Sequence, residues 1–163
     1  YEDLMIAIAI GIAIAMLGNL NQVKQAFKLS KKHEVGPVPK FKFFKESKDL
    51  SKISKLPVIV LKPHGSIFFG SVESMLDTYS RAYKHQTLII DMGDVTMVDL
   101  TGIYAFEDLI ASLRKKNIDV FMTNIDSKIE DVFEKTGSLK TIGKNHITND
   151  LHSIFNAIDS QKA

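Results

Sequence analysis

The 163-residue chain contains no cysteine, and its arginines are only Arg81 and Arg114. Without cysteine there is no disulfide framework, no thiolate metal site and no cysteine nucleophile. This also fits a cytoplasmic setting. None of the five histidines (His33, His64, His85, His146, His152) stands three or four residues from another. The six-residue spacing of His146 and His152 would place them on different faces of a helix, so no zinc site is expected. With 21 basic and 19 acidic side chains the net charge is +2. The central phenylalanines (Phe41, Phe43, Phe44, Phe68, Phe69) are not interleaved with an arginine-rich surface, so nucleic acid is not an expected partner. Gly93, Gly102 and Gly143 form no phosphate-cradling loop. Thr101, the hydroxyl neighbouring Asp99, has no histidine or lysine near it in sequence to act as a base, and no catalytic set emerges, so neither catalysis nor a cofactor is expected.

What the chain does have is an uneven distribution of apolar residues. Leu4 to Leu20 reads LMIAIAIGIAIAMLGNL, with Asn19 its only strongly polar side chain. As a helix this run would reach about 25 Å, slightly under the ~30 Å hydrocarbon core, and the pattern extends to Phe27. The acidic start (Glu2, Asp3) does not suit a secretory signal, and a chain beginning at Tyr1 without Met reads as the end of something longer. Lys24, Lys28, Lys31 and Lys32 follow the run, which places residues after about 24 on the cytoplasmic side of an inner or plasma membrane. Ala7, Gly11 and Ala15 make a small-residue stripe, fit for a neighbouring helix or simply the composition of a span. The Ile-Ala alternation also has period two, so a buried strand competes with the membrane span, as does an interfacial helix.

Residues 1–35 are therefore read as a membrane helix with a basic juxtamembrane segment, 36–56 as a linker, and 57–163 as a soluble α/β domain. Gly36, Pro37 and Pro39 open the linker. The aromatics in KFKFFKESKDLSKISK would sit either at the lipid headgroups or against the domain. Beyond Pro57, strands are expected at Val58–Leu61 and Ser66–Phe69, as a hairpin turning at His64-Gly65, and then at 87–90 and 118–122. Thr87-Leu88-Ile89-Ile90 suits a central strand. Helices are expected at 72–83, 100–116, from Ile125 to a stop at Gly137, and 149–158; the second carries Ile103, Phe106, Leu109, Ile110 and Leu113 on one face. These elements imply a mixed sheet with helices mainly on one side.

The stretch IDMGDVTMVDLTGIYAF (90–106) is the most informative. A strand ends at Asp91, a loop follows, and a helix opens at Asp99, a good N-cap. Thr101 falls in the first turn beside Gly102, near unpaired N–H donors where an anion or phosphate is favoured. The plainer alternative is a capped helix with a close-packing glycine.

Two motifs carry a resemblance: His64-Gly65-Ser66-Ile67-Phe68-Phe69-Gly70, and Met97-Val98-Asp99-Leu100-Thr101-Gly102-Ile103. Together with an Asp3-Leu4…Ala9…Gly11 run followed by basic residues, they resemble the C-terminal part of SulP/SLC26 anion transporters, the last membrane helix plus the STAS domain. The resemblance implies an α/β fold with a STAS-like sheet of four to five strands, preceded by one membrane helix. It implies a regulatory or interaction domain of a secondary transporter of sulfate or a related anion. The implied partners are the transporter's own membrane domain, the bilayer, and a second protomer or cytoplasmic regulatory protein. Asp99, Thr101 and Gly102 then form a candidate phospho-acceptor, anion-binding or docking loop. In the soluble anti-sigma-factor antagonists the Ser or Thr matching Thr101 is phosphorylated; Leu100 stands where those proteins often carry a second Ser. A Thr101 phospho-switch of that type, or a nucleotide- or lipid-binding module, is the alternative.

Overall fold

A computed structural model describes residues 33–45, 50–53, 55–80 and 84–160, all within the compact unit Lys32–Ala163. The expected membrane helix lies outside the described residues, among which no helix is long and apolar enough to cross a membrane.

Four strands make the main sheet in the order β1-β2-β4-β6. They are β1 (Glu34–Pro37), β2 (Val58–Lys62), β4 (Thr87–Asp91) and β6 (Asp119–Thr123). β1 is antiparallel to β2, with Val35 opposite Leu61, whereas β2, β4 and β6 run parallel. Every residue of β4 is buried, as a strand covered on both faces must be. A separate parallel pair joins β3 (Gly65–Ile67) to β5 (Val95–Val98). Around these strands lie α1 (Lys42–Lys45), α2 (Leu50–Ile53), α3 (Phe69–Tyr79), α4 (Leu100–Lys115), α5 (Ser127–Lys135), α6 (Ser138–Ile142) and α7 (Leu151–Ser160).

The period-two alternation of side chains sorts the core into two layers. Ile59, Leu61, Leu88, Ile90, Val120 and Met122 share one cluster with Val72 and Met75 of α3, Ile103, Phe106 and Ile110 of α4, and Ile129 and Phe133 of α5. Val58, Val60, Ile89 and Phe121 point the other way, to Val38, Phe41, Phe44, Ile154 and Ile158.

Several expectations change. The hairpin at His64-Gly65 does not form, because β1 and β4 already occupy both edges of β2. Gly65, at φ 76°, instead turns the chain into the second sheet, where its N–H donates to the Asp94 carbonyl at 2.9 Å. The second strand is therefore shorter than expected, and α3 begins at Phe69 rather than Val72. The stretch 36–56 is not merely a linker. It completes β1, and its Val38, Phe41 and Phe44 are buried against the sheet, so packing begins at Glu34 rather than Pro57. Phe44 is fully buried, and such burial contributes about 1.5–3 kcal/mol. Helices also occupy both faces, since α7 covers the side opposite α3–α6. Finally, the loop expected after Asp91 contains β5, and Gly137, at φ 78°, leads into the short helix α6.

Candidate functional site

β5 delivers the chain to Asp99, whose backbone N–H donates to the Ile67 carbonyl at 3.0 Å and ties the start of α4 to the end of β3. Asp99 is extended (φ −94°, ψ 171°) and caps α4: its Oδ1 accepts from the Gly102 N–H and from the Thr101 hydroxyl, each at 2.7 Å. Those two hydrogen bonds, the Gly102 N–H first, hold the Asp99 carboxyl below the ordinary aspartate range. Thr101 Oγ1 also accepts from the Phe69 N–H at 3.3 Å, so one exposed hydroxyl links the first turns of α3 and α4.

Gly102 permits this junction. A Cβ there would stand 2.5 Å from the Ile67 carbonyl oxygen and 3.0 Å from Phe68 Cα, both backbone atoms that cannot swing aside. The start of α3 is held by Ser71, whose Oγ accepts from the Phe68 N–H at 2.8 Å. All three site residues expected from sequence thus come together, with Asp99 in its capping role.

Sequence reasoning missed the company they keep. Phe68, Phe69, Leu76, Met97, Leu100 and Tyr104 are the exposed large apolar side chains among the described residues, and all fall between residues 68 and 104. Exposed apolar side chains in such number are the material a contiguous interaction surface would be made of. Apart from the adjacent Phe68 and Phe69 each appears singly in sequence, so only that pair could have signalled it.

A second polar cluster, also missed, sits where β2 and β4 end. Asp91 is 1% exposed, and its Oδ1 accepts from the Gly93 N–H at 3.1 Å and Asn124 Nδ2 at 2.8 Å. Its Oδ2 makes no hydrogen bond but faces Lys62 Nζ at 3.7 Å, and Lys62 also pairs with Asp94 at 3.4 Å. His64 is buried there rather than exposed in a turn. Its Nε2 lies 3.3 Å from Glu34 Oε1, and its Nδ1 is 2.9 Å from Asp94 Oδ2 but off the hydrogen-bonding direction. The His64 backbone N–H donates to His33 Nδ1 at 3.3 Å, and burial, then the nearby His64, lowers the His33 pKa. Lys62 bridges two carboxylates within this cluster, which reads as a fastening between β1, β2 and the β4–β5 loop.

The model of the STAS domain family matches residues 49–154 of the chain. The chain belongs to the STAS domain family. The resemblance read from the two motifs is thereby shown, and the relatives of this STAS domain are named sulfate transporters. It is 22% identical over 161 residues to high affinity sulfate transporter 2 of Stylosanthes hamata, covering 90% of this chain and 24% of that protein. It is 24% identical over 136 residues to sulfate transporter 1.3 of Arabidopsis thaliana, covering 74% and 21%. The chain spans about a quarter of the length of these curated relatives. Among solved structures it is similar to the STAS domain of a SulP transporter from Vibrio cholerae (TM-score 0.52, 24% identity, 66% of this chain and 83% of that one). It is also similar to SLC26A9 (TM-score 0.65, 17% identity, 93% of this chain and 28% of that one). These likenesses show the mixed α/β STAS fold.

Proposed function

We propose that this STAS domain is the cytoplasmic regulatory and interaction element of a SulP-type secondary transporter for sulfate or a related anion. In this reading the residues before β1 hold the last membrane span and its basic flank, and the transporter's own membrane domain is the first partner. The domain performs no catalysis. It acts by docking, through the edge formed by Asp99, Thr101, Gly102 and the exposed apolar residues around them.

The observation that carries this reading is the occupied cap. The Asp99 carboxylate already fills the anion-favouring start of α4, taking both the Gly102 N–H and the Thr101 hydroxyl. A free anion would have to displace it, and like charges 2.7 Å from a shared hydroxyl repel. A macromolecular partner needs no such displacement and would cover Phe68, Phe69, Leu100 and Tyr104. Phosphorylation of Thr101 is the second reading, favoured by the exposure of its hydroxyl. The added phosphate would confront Asp99, break the cap and reset the edge, which is a switch rather than a resting state.

Thr101→Glu in the complete protein that carries this chain tests both. It is expected to lower anion uptake severalfold, whereas Thr101→Val changes it less. Uptake and partner binding that ignore Thr101→Glu would remove this edge from the mechanism.

A further inference from the structure

Between α3 and α4 runs a groove of about 310 Å³ that opens beside the Thr101 edge. Val72 and Leu109 are buried in it, while Phe69 and Leu76 stay 57% and 39% exposed. Among the described residues lining it, the charged side chains are Glu73 from α3 and Asp108 from α4. The helices extend that sign. α3 carries Glu73 and Asp77 with no lysine or arginine, and α4 carries Glu107 and Asp108 before its first basic residue, Arg114. The groove is therefore acidic in a chain whose net charge is +2.

We propose that the α3–α4 groove receives a basic amphipathic helix of a partner protein. Apolar side chains at helical spacing enter between Phe69 and Leu76, and flanking lysines or arginines meet Glu73 and Asp108. The sign of the charge selects this occupant. A second copy docking through the same face would set Glu73 and Asp108 against their own kind, since a two-fold interface is self-complementary. Anionic lipid headgroups and nucleic acid would meet the same repulsion. The inference rests on the reading of this edge as a docking surface and adds the chemistry of the partner.

The test uses the full 163-residue chain in nanodiscs of neutral lipid, with empty discs as the blank. The probe is a fluorescent amphipathic Leu/Lys helical peptide, and its counterpart carries Glu in place of Lys. The Leu/Lys peptide is expected to bind saturably. Glu73→Lys with Asp108→Lys should weaken it about tenfold or more, as should Leu76→Ser. Glu73, Asp108 and Leu76 are exposed, so these variants are expected to fold, and an unchanged helical circular dichroism signal verifies it. The Glu peptide should bind the native chain weakly and the doubly substituted chain better. Equal binding of the Leu/Lys peptide to native and substituted chains overturns the proposal. So does equal binding of both peptides to the native chain. If these failures occur while uptake still responds to Thr101→Glu, the groove inference falls alone. If groove binding holds while Thr101→Glu leaves uptake unchanged, the groove stands and the Thr101 edge does not.

Discussion

Asp91 and Asp99 bound one short stretch of chain, yet the fold surrounds them differently. Asp91 is 1% exposed and held by Lys62, Gly93 and Asn124, with His64 and Asp94 close by. Asp99 caps a helix at the surface, spans only as far as Gly102, and neighbours apolar side chains that are exposed among the described residues. In the first region each charge faces an opposite charge already. In the second the local polar groups are satisfied, and what remains unsatisfied is apolar surface. A carboxylate is thus uninformative by its type, and its surroundings decide whether it fastens the fold or caps a helix beside exposed apolar side chains.

The contrast can be broken by substitution, beginning with the buried region. Asp91→Ala leaves Lys62 and Asn124 facing an empty site and is expected to cost about 3 kcal/mol, Lys62's partial exposure keeping it below a fully buried pair. Chemical denaturation of the full chain measures this. Gly102→Ala should come next, at about 2 kcal/mol, because its methyl meets the Ile67 carbonyl and forces α4 away from β3. Asp99→Asn should lower the melting temperature less than either, and with a particular pH dependence. The folded Asp99 carboxyl lies below its ordinary 3.8, so its stabilisation is complete above that value and disappears as pH falls through the lower folded one. Native and Asp99→Asn chains should therefore differ in melting temperature at neutral pH and converge in acid. Thr101→Val should have the smallest effect on stability, within about 1 kcal/mol, since it removes one exposed hydroxyl. Should Thr101→Val prove as destabilising as Asp91→Ala, the edge would be a structural fastening as well, and the division between the two regions would fail.

Much of the helical layer was legible. The spacing of Ile103, Phe106, Leu109, Ile110 and Leu113 defines the buried face of α4, and Asp99 before that run marks its start. Cap and periodicity are local properties, set by residues within a few turns of each other. The strands were read less well. β1 has four residues and two ordinary neighbours, Val38 and Pro39, and nothing in it announces that its partner is β2, more than twenty residues on. β5 (Val95–Val98) has only its two end residues buried, so no apolar run betrays it. The site itself was half legible: Asp99, Thr101 and Gly102 stood out, whereas the groove beside them did not.

Local chemistry, then, is enough to set where α4 begins, which of its faces is buried, that β4 is central, and that Asp99 caps beside a hydroxyl. Those outcomes depend on neighbours in sequence and on periods of two and 3.6 residues. Tertiary structure alone decided that β3 abandons β2 for β5, that Phe41 and Phe44 close the second face of the sheet, and that Asp91 meets Lys62. It also decided that Gly102 touches Ile67, and that Glu73 and Asp108 flank one groove. Each of these joins residues far apart in the chain, where competition for strand edges and buried space determines which contacts form.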